Sequence, residues 1–160
     1  MTSLVIISDT HHRVLPDLVT SHIENADVIL HAGDFTGMED YERLEAYGKP
    51  LYAVLGNMDK SPLETILPVK RLVRVEDVSI AMIHGWGAPG GLEKRVEGAF
   101  EGTDWDVLVF GHSHSPVIKK EGRKILLNPG SPTDKRFART NSFISMTIDR
   151  RDVNAEIISL

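Results

Sequence analysis

Apolar residues gather in short runs along the chain: Leu4–Ile7, Val28–Leu30, Leu51–Leu55, Ile80–Ile83, Val107–Phe110, Ile125–Leu127, Phe143–Ile148 and Val153–Ile158. Each is the length of a strand. Between the early runs, Pro16–Ile23 and Glu39–Tyr47 have helical spacing, so the chain begins as β-α-β-α with a parallel sheet. Later runs lie closer together. Val117–Lys120 and Lys124–Leu127 flank Glu121-Gly122, a hairpin-like turn, so the second half is expected to be more antiparallel. There is no internal repeat, linker or low-complexity tract. The pattern predicts an α/β domain of two mixed sheets covered by helices.

Composition narrows this picture. A chain of 160 residues with 41% hydrophobic content suits one domain, residues 1–160, with a real core. No apolar run reaches the length of a membrane helix, and Asp9 cuts the N-terminal run too early for a signal peptide. A soluble, cytoplasmic protein is expected. The absence of cysteine removes disulfides, thiolate metal sites and cysteine nucleophiles, so any metal must be held by nitrogen and oxygen. A formal charge of -5 argues against binding duplex nucleic acid or an anionic membrane.

The candidate chemistry lies just past the strands. Leu4–Ile7 runs into Ser8-Asp9-Thr10-His11, Val28–Leu30 into His31-Ala32-Gly33-Asp34, and Leu51–Leu55 into Gly56-Asn57. Ile80–Ile83 ends at His84-Gly85, and Val107–Phe110 at Gly111-His112-Ser113-His114. In α/β sheets the carboxyl edge is where ligands bind, because the loops converge there. Singly, these residues have plain structural uses: Asp34 can cap a helix starting near Met38, His84 can sit at a core edge, and His112 can bond a loop. Their joint placement in one set of loops is what points to a site. On extended backbone, positions i and i+2 project the same way, so Asp9 with His11, and His112 with His114, would each make a two-pronged clamp. Imidazole and carboxylate together suit Mn, Fe, Zn, Ni or Co, and seven ligands exceed the need of one ion.

The set Asp9-Thr10-His11, Gly33-Asp34, Gly56-Asn57-Met58-Asp59, His84 and Gly111-His112-Ser113-His114 resembles the calcineurin-like metallophosphoesterases, whose pieces occur in this order. With Asn128-Pro129-Gly130-Ser131 and the small size, the chain looks like the compact phosphodiesterase branch of bacteria and archaea. The resemblance implies a β-sandwich flanked by helices. It implies that Asp9, His11 and His114 bind one divalent ion, that Asn57, His84 and His112 bind another, and that Asp34 bridges them, with manganese first among the metals. It further implies a phosphodiesterase in which a metal-bridged hydroxide attacks a small phosphodiester, with Asn57, Asp34 and Asp59 among the catalytic residues. Met58 stands where relatives place a histidine near the leaving group, so the general-acid position is empty and Asp59 lacks its imidazole partner.

The remaining polar residues carry weaker expectations. His12 adjoins the site, His22 belongs on a helix face and His31 at a strand end. Lys135, Arg136 and Arg139 offer a phosphate contact or simply a solvated face. A non-enzymatic scaffold like the metallophosphoesterase-like subunit of the retromer coat is the main rival, and a nuclease of short oligonucleotides the other. Scaffold relatives tend to lose metal ligands, whereas this chain keeps the set. A homodimer or homotetramer is compatible with the sequence.

Overall fold

The structure, a computed structural model, describes residues 1–136 and 138–160. In chain order its elements are β1 (Thr2–Ile7), α1 (Asp17–Asn25), β2 (Val28–His31), α2 (Met38–Glu45), β3 (Leu51–Ala53), α3 (Leu63–Ile66), β4 (Lys70–Val75), β5 (Val78–Ile83), α4 (Leu92–Gly98), β6 (Val107–Val109), β7 (Val117–Glu121), β8 (Lys124–Asn128), β9 (Ser142–Asp149) and β10 (Asp152–Ser159). They form two five-stranded sheets, ordered β10-β9-β1-β2-β3 and β4-β5-β6-β8-β7. The expected α/β fold with two mixed sheets is the one observed.

Why the strands read as unbroken apolar runs is plain from their packing. Leu4 and Ile6 face the core between the sheets with Ile80, Met82, Val107 and Val109. Val5 and Ile7 face the opposite way, onto Val19 and Ile23 of α1 and Leu44 of α2. In the second sheet, Ala81, Ile83 and Leu108 turn outward onto Leu92 and Val96 of α4. A strand buried on both faces has no polar side, so its alternation disappears.

Three elements lie outside the sequence expectation: β4, α3 and α4. In β4 the sequence Lys-Arg-Leu-Val-Arg-Val exposes Leu72 and buries Val73 and Val75, so its apolar run is too broken to notice. The second half is the more antiparallel one, as expected, but it keeps a parallel centre. Strands β5, β6 and β8 run parallel; the antiparallel pairs are β4 with β5, β7 with β8, and β9 with both β1 and β10.

Register then sets the level of the loops. Ile7 pairs with His31 and His31 with Ala53, while Met82 pairs with Val109 and Val109 with Leu127. The two parallel trios therefore end in step, and their loops start at a common rim. Among the described residues, no helix is long and apolar enough to cross a membrane.

Candidate metal centre

Backbone bonds first zip the loops of the first sheet together. The amides of Asp9, His11 and His12 donate to the carbonyls of Gly33, Asp34 and Phe35 at 2.9, 3.1 and 2.8 Å. Asp9, His11, Asp34, His112 and His114 all have positive φ, from 47° to 71°. The extended clamp expected from the spacing is thus replaced by left-handed turns, conformations that Asp and His adopt more readily than most residues. Asp9 and His11 still converge. His112 and His114 do not: the turn sends them to different ends of the cluster.

At one end, His114 Nε2 lies 3.3 Å from Asp9 Oδ1 and 3.2 Å from His11 Nε2. At the other, His84 Nε2 lies 3.3 Å from Asp34 Oδ2, and His112 Nδ1 lies 3.2 Å from Asn57 Oδ1. Asp9 Oδ1 joins the two, 3.8 Å from both His11 Nε2 and His84 Nε2. Asp34 Oδ2 also reaches toward His11, at 3.9 Å. Two sets therefore have ligand atoms mutually within 4.8 Å: Asp9, His11 and His114, and Asp9, Asp34 and His84. The structure brings the seven sequence candidates together, and places Asp9 as centrally as Asp34.

The hydrogen-bond pattern shows how the donor atoms of this cluster are oriented. Nδ1 of His84 donates to Ala32 O at 2.7 Å, Nδ1 of His114 to Asp134 O, and Nε2 of His112 to Gly87 O at 2.7 Å. A carbonyl only accepts, so these nitrogens carry the hydrogens and the opposite nitrogens of neutral rings are bare lone pairs. Those lone pairs face carboxylate or amide oxygens, acceptor against acceptor. Asp9 Oδ1 and His84 Nε2 are buried and, among the described residues, have no hydrogen-bond partner. Burial opposes ionisation of Asp9, yet the imidazoles of His11 and His114, and then His84, hold its carboxyl far below the usual range. Burial likewise disfavours charge on His84, but Asp34 and Asp9 raise its pKa to about 9. The cluster calls for positive charge at its centre, and its nitrogen and carboxylate donors fit borderline divalent ions.

Asp9 is aimed by its other oxygen. Oδ2 accepts from Ser8 Oγ at 2.6 Å and from the His112 amide at 3.1 Å, leaving Oδ1 turned to the imidazoles. Asp59 serves a different purpose from the ligands. Its buried carboxylate accepts the amides of Asp34, Thr36 and Gly56 at 2.9, 2.8 and 2.8 Å, clasping the loops after β2 and β3 together. Gly56 is needed there because a Cβ would collide with the amide and carboxylate of Asp34. The Asp34 carboxylate accepts the Met58 amide at 2.8 Å, and Met58 itself is half exposed.

Other contributors were not legible from spacing. His31 stacks on Phe35 at 3.6 Å between ring centroids, accepts the Gly33 amide at Nδ1 and sits 3.1 Å from Thr10 Oγ1 through Nε2. Burial pushes its pKa down to about 3, so it is a neutral strut. The Asn128–Ser131 loop braces the site rather than lining it. Asn128 Nδ2 donates to Gly111 O and Ser131 Oγ to Asp9 O, at 2.9 and 2.7 Å. Asp34 caps no helix: the N-cap residue of α2 is Gly37, and among the described residues that end has no side-chain cap. His12 pairs with the buried Asp40 at 3.0 Å, His22 bonds Leu18 O within α1, and Arg136 pairs with Asp134 at 3.6 Å. Arg139 lines a cavity of about 340 Å³ with Arg13 and Lys135.

Fold and site together define a two-sheet α/β sandwich carrying a nitrogen and oxygen ligand cluster at the rim where both sheets end. The chain belongs to the calcineurin-like phosphoesterase superfamily, whose domain profile matches residues 2–151. It is 35% identical over 158 residues to a probable metallophosphoesterase of Methanothermobacter thermautotrophicus, covering 96% of this chain and 90% of that one. It is 25% identical over 140 residues to a phosphodiesterase of Methanocaldococcus jannaschii, covering 78% and 81%. A Thermotoga maritima protein solved by solution NMR is similar throughout, with a TM-score of 0.76, 32% identity and 100% of each chain covered.

Proposed function

We propose that this protein is a phosphodiesterase that uses two divalent metal ions. The observation that carries the reading is the pair of orphaned buried atoms, Asp9 Oδ1 and His84 Nε2, lying among two sets of converging ligands. Asp9, His11 and His114 would hold one ion, and His84, His112 and Asn57 the other, with Asp34 between them. Such ions supply Lewis acidity and a nucleophilic water at neutral pH.

The chain's own groups do the rest. The carbonyls of Ala32, Asp134 and Gly87 hold the outer ring nitrogens, so His84 Nε2, His114 Nε2 and His112 Nδ1 point inward, and a metal ion would displace the proton that the neighbouring carboxylates favour on His84. The Met58 amide and the Ser8 hydroxyl fix the carboxylates of Asp34 and Asp9. Asn57 is exposed and His112 half-buried, which leaves the second ligand set open at the mouth where a phosphate ester would enter. Met58 has no proton to give, so a leaving oxygen must depart largely as an anion. That favours diesters of acidic alcohols such as phenols over alkyl diesters, with little monoesterase activity. Manganese, nickel, zinc, iron and cobalt all suit the donor set. Membership of the superfamily and the name of the archaeal relative support the reading, and the retained ligands weigh against a purely scaffolding role.

The test is metal content and turnover together. Protein purified without chelator should carry about two transition ions per chain, as the two ligand sets imply. It should hydrolyse bis(4-nitrophenyl) phosphate, faster than the monoester, with at least one of those metals. No high-affinity metal, and no diester turnover after reconstitution, would reject the proposal.

A further inference from the structure

Two large apolar side chains are exposed on the loops that carry candidate ligands of this site. Met58 is 46% exposed and Trp86 48% exposed, whereas the chain's other tryptophan, Trp105, is buried at 3%. Met58 follows the candidate ligand Asn57, and Trp86 comes two residues after the candidate ligand His84. A single imidazole joins their loops. His112 lies 3.2 Å from Asn57 Oδ1 through Nδ1 and donates to Gly87 O at 2.7 Å through Nε2. Met58 and Trp86 are therefore each one residue along the chain from an atom bonded to His112.

The Trp86 loop is held unusually firmly for a surface turn. Arg95 of α4 donates Nε to Trp86 O and Nη1 to Gly90 O, both at 2.9 Å, and Nη2 to Ala88 O. Gly85 turns the chain at φ 100°, where a Cβ would stand 2.9 Å from Leu92 Cδ1. A guanidinium wholly engaged with the carbonyls of one turn is not free to bind a phosphate. Its effect is to present an indole on a preorganised support, so little ordering entropy is lost when a ligand meets it.

We propose that Met58 and Trp86 form a subsite for an aromatic ester group of the substrate, which makes aryl or nucleobase-bearing phosphodiesters the preferred class. Indole offers a π face for stacking, and the thioether a polarizable apolar contact that also favours aromatic rings. The same Met58 that leaves the general-acid position empty thus gains a binding use. The proposal rests on the phosphodiesterase reading only in that the phosphate is taken to sit at the metal centre.

Binding of unreactive analogues separates the two. Zinc-loaded protein, whose filled d shell avoids paramagnetic quenching, is titrated with phenylphosphonate and with methylphosphonate while tryptophan emission is followed. Phenylphosphonate should bind about tenfold more tightly, the scale of one stacked ring, and should perturb the emission of the exposed Trp86. By competition or calorimetry, Trp86→Ala and Met58→Ala should bring the two affinities together, while Trp86→Phe keeps most of the preference. Thermal unfolding checks that each variant is folded. Equal affinities in the wild type, or an unchanged preference in Trp86→Ala, would overturn the subsite. Ring-selective binding without turnover of any diester would uphold the subsite and reject the phosphodiesterase reading; turnover without ring selectivity would do the reverse.

Discussion

At the scale of single residues, position counts for more than type. Asp59 has the same carboxylate as Asp9 and Asp34, yet three backbone amides saturate it and it holds loops where the others face imidazoles. Asp59→Asn turns an amide group toward those donors. Unfolding in denaturant should show a loss of about 1 to 3 kcal/mol, and elemental analysis a loss of metal even though no proposed ligand has changed. Retention of both would show that the clasp is dispensable. Met58→His restores a proton donor beside Asn57. It should raise turnover of alkyl diesters more than that of 4-nitrophenyl diesters, by up to about 10². A wild-type rate independent of leaving-group acidity, with chemistry rate-limiting, would contradict this. His31 gives a pH signature. Its folded pKa of about 3 lies below its unfolded value of 6.5, so its contribution is complete above pH 6.5 and declines as pH falls toward 3. With metal removed from both proteins, the wild type should lose stability faster than His31→Gln over that window, by up to about 1.4 kcal/mol per pH unit. Parallel curves would mean that His31 titrates normally. The candidate ligands were legible because each lies just past an apolar run, whereas His31 and Asp59 act through partners that only folding supplies.

At the scale of elements, the sequence revealed the doubly buried strands and most edge strands, and concealed β4 and two short helices. β1, β2, β5 and β6 announce themselves because no polar side interrupts them, and the resemblance in motif order then identified the rim. β4 pairs only with β5 and exposes alternate residues, so its polar positions broke the run that would have marked it. α3 and α4 are short, at four and seven residues, and give periodicity little length to show itself. The splitting of His112 from His114 was likewise hidden, because spacing does not reveal positive φ. One strand end can be tested directly. Asn128, last in β8, donates to Gly111 O and Ser113 Oγ and accepts the Gly130 amide. Asn128→Ala orphans these groups and should lower stability by about 1 to 3 kcal/mol, and should weaken metal binding by loosening the turn that carries His112 and His114. Unaltered metal affinity would show that this turn is held without Asn128.

At the scale of the whole molecule, the candidate ligands divide between the layers: Asp9, His11, Asp34 and Asn57 follow strands of one sheet, and His84, His112 and His114 follow strands of the other. Two divalent ions would bring the formal charge from -5 to about -1. They would also tie the sheets together at one rim. Chelation should therefore lower the melting temperature; a metal at a hundred times its dissociation constant stabilises the folded state by about 2.7 kcal/mol per site. An unchanged melting temperature after metal removal would mean that the ions carry no structural load. A centre spanning two layers has a further consequence, since the sheets need part by only an ångström or two at their lips for donor atoms to lose their shared target. The inter-sheet core below would scarcely feel such a breath. Heating or mild denaturant should thus extinguish the proposed hydrolysis before amides such as that of Ile6 begin to exchange, and the metal centre would then serve as the molecule's fuse, failing first and resetting when the lips close.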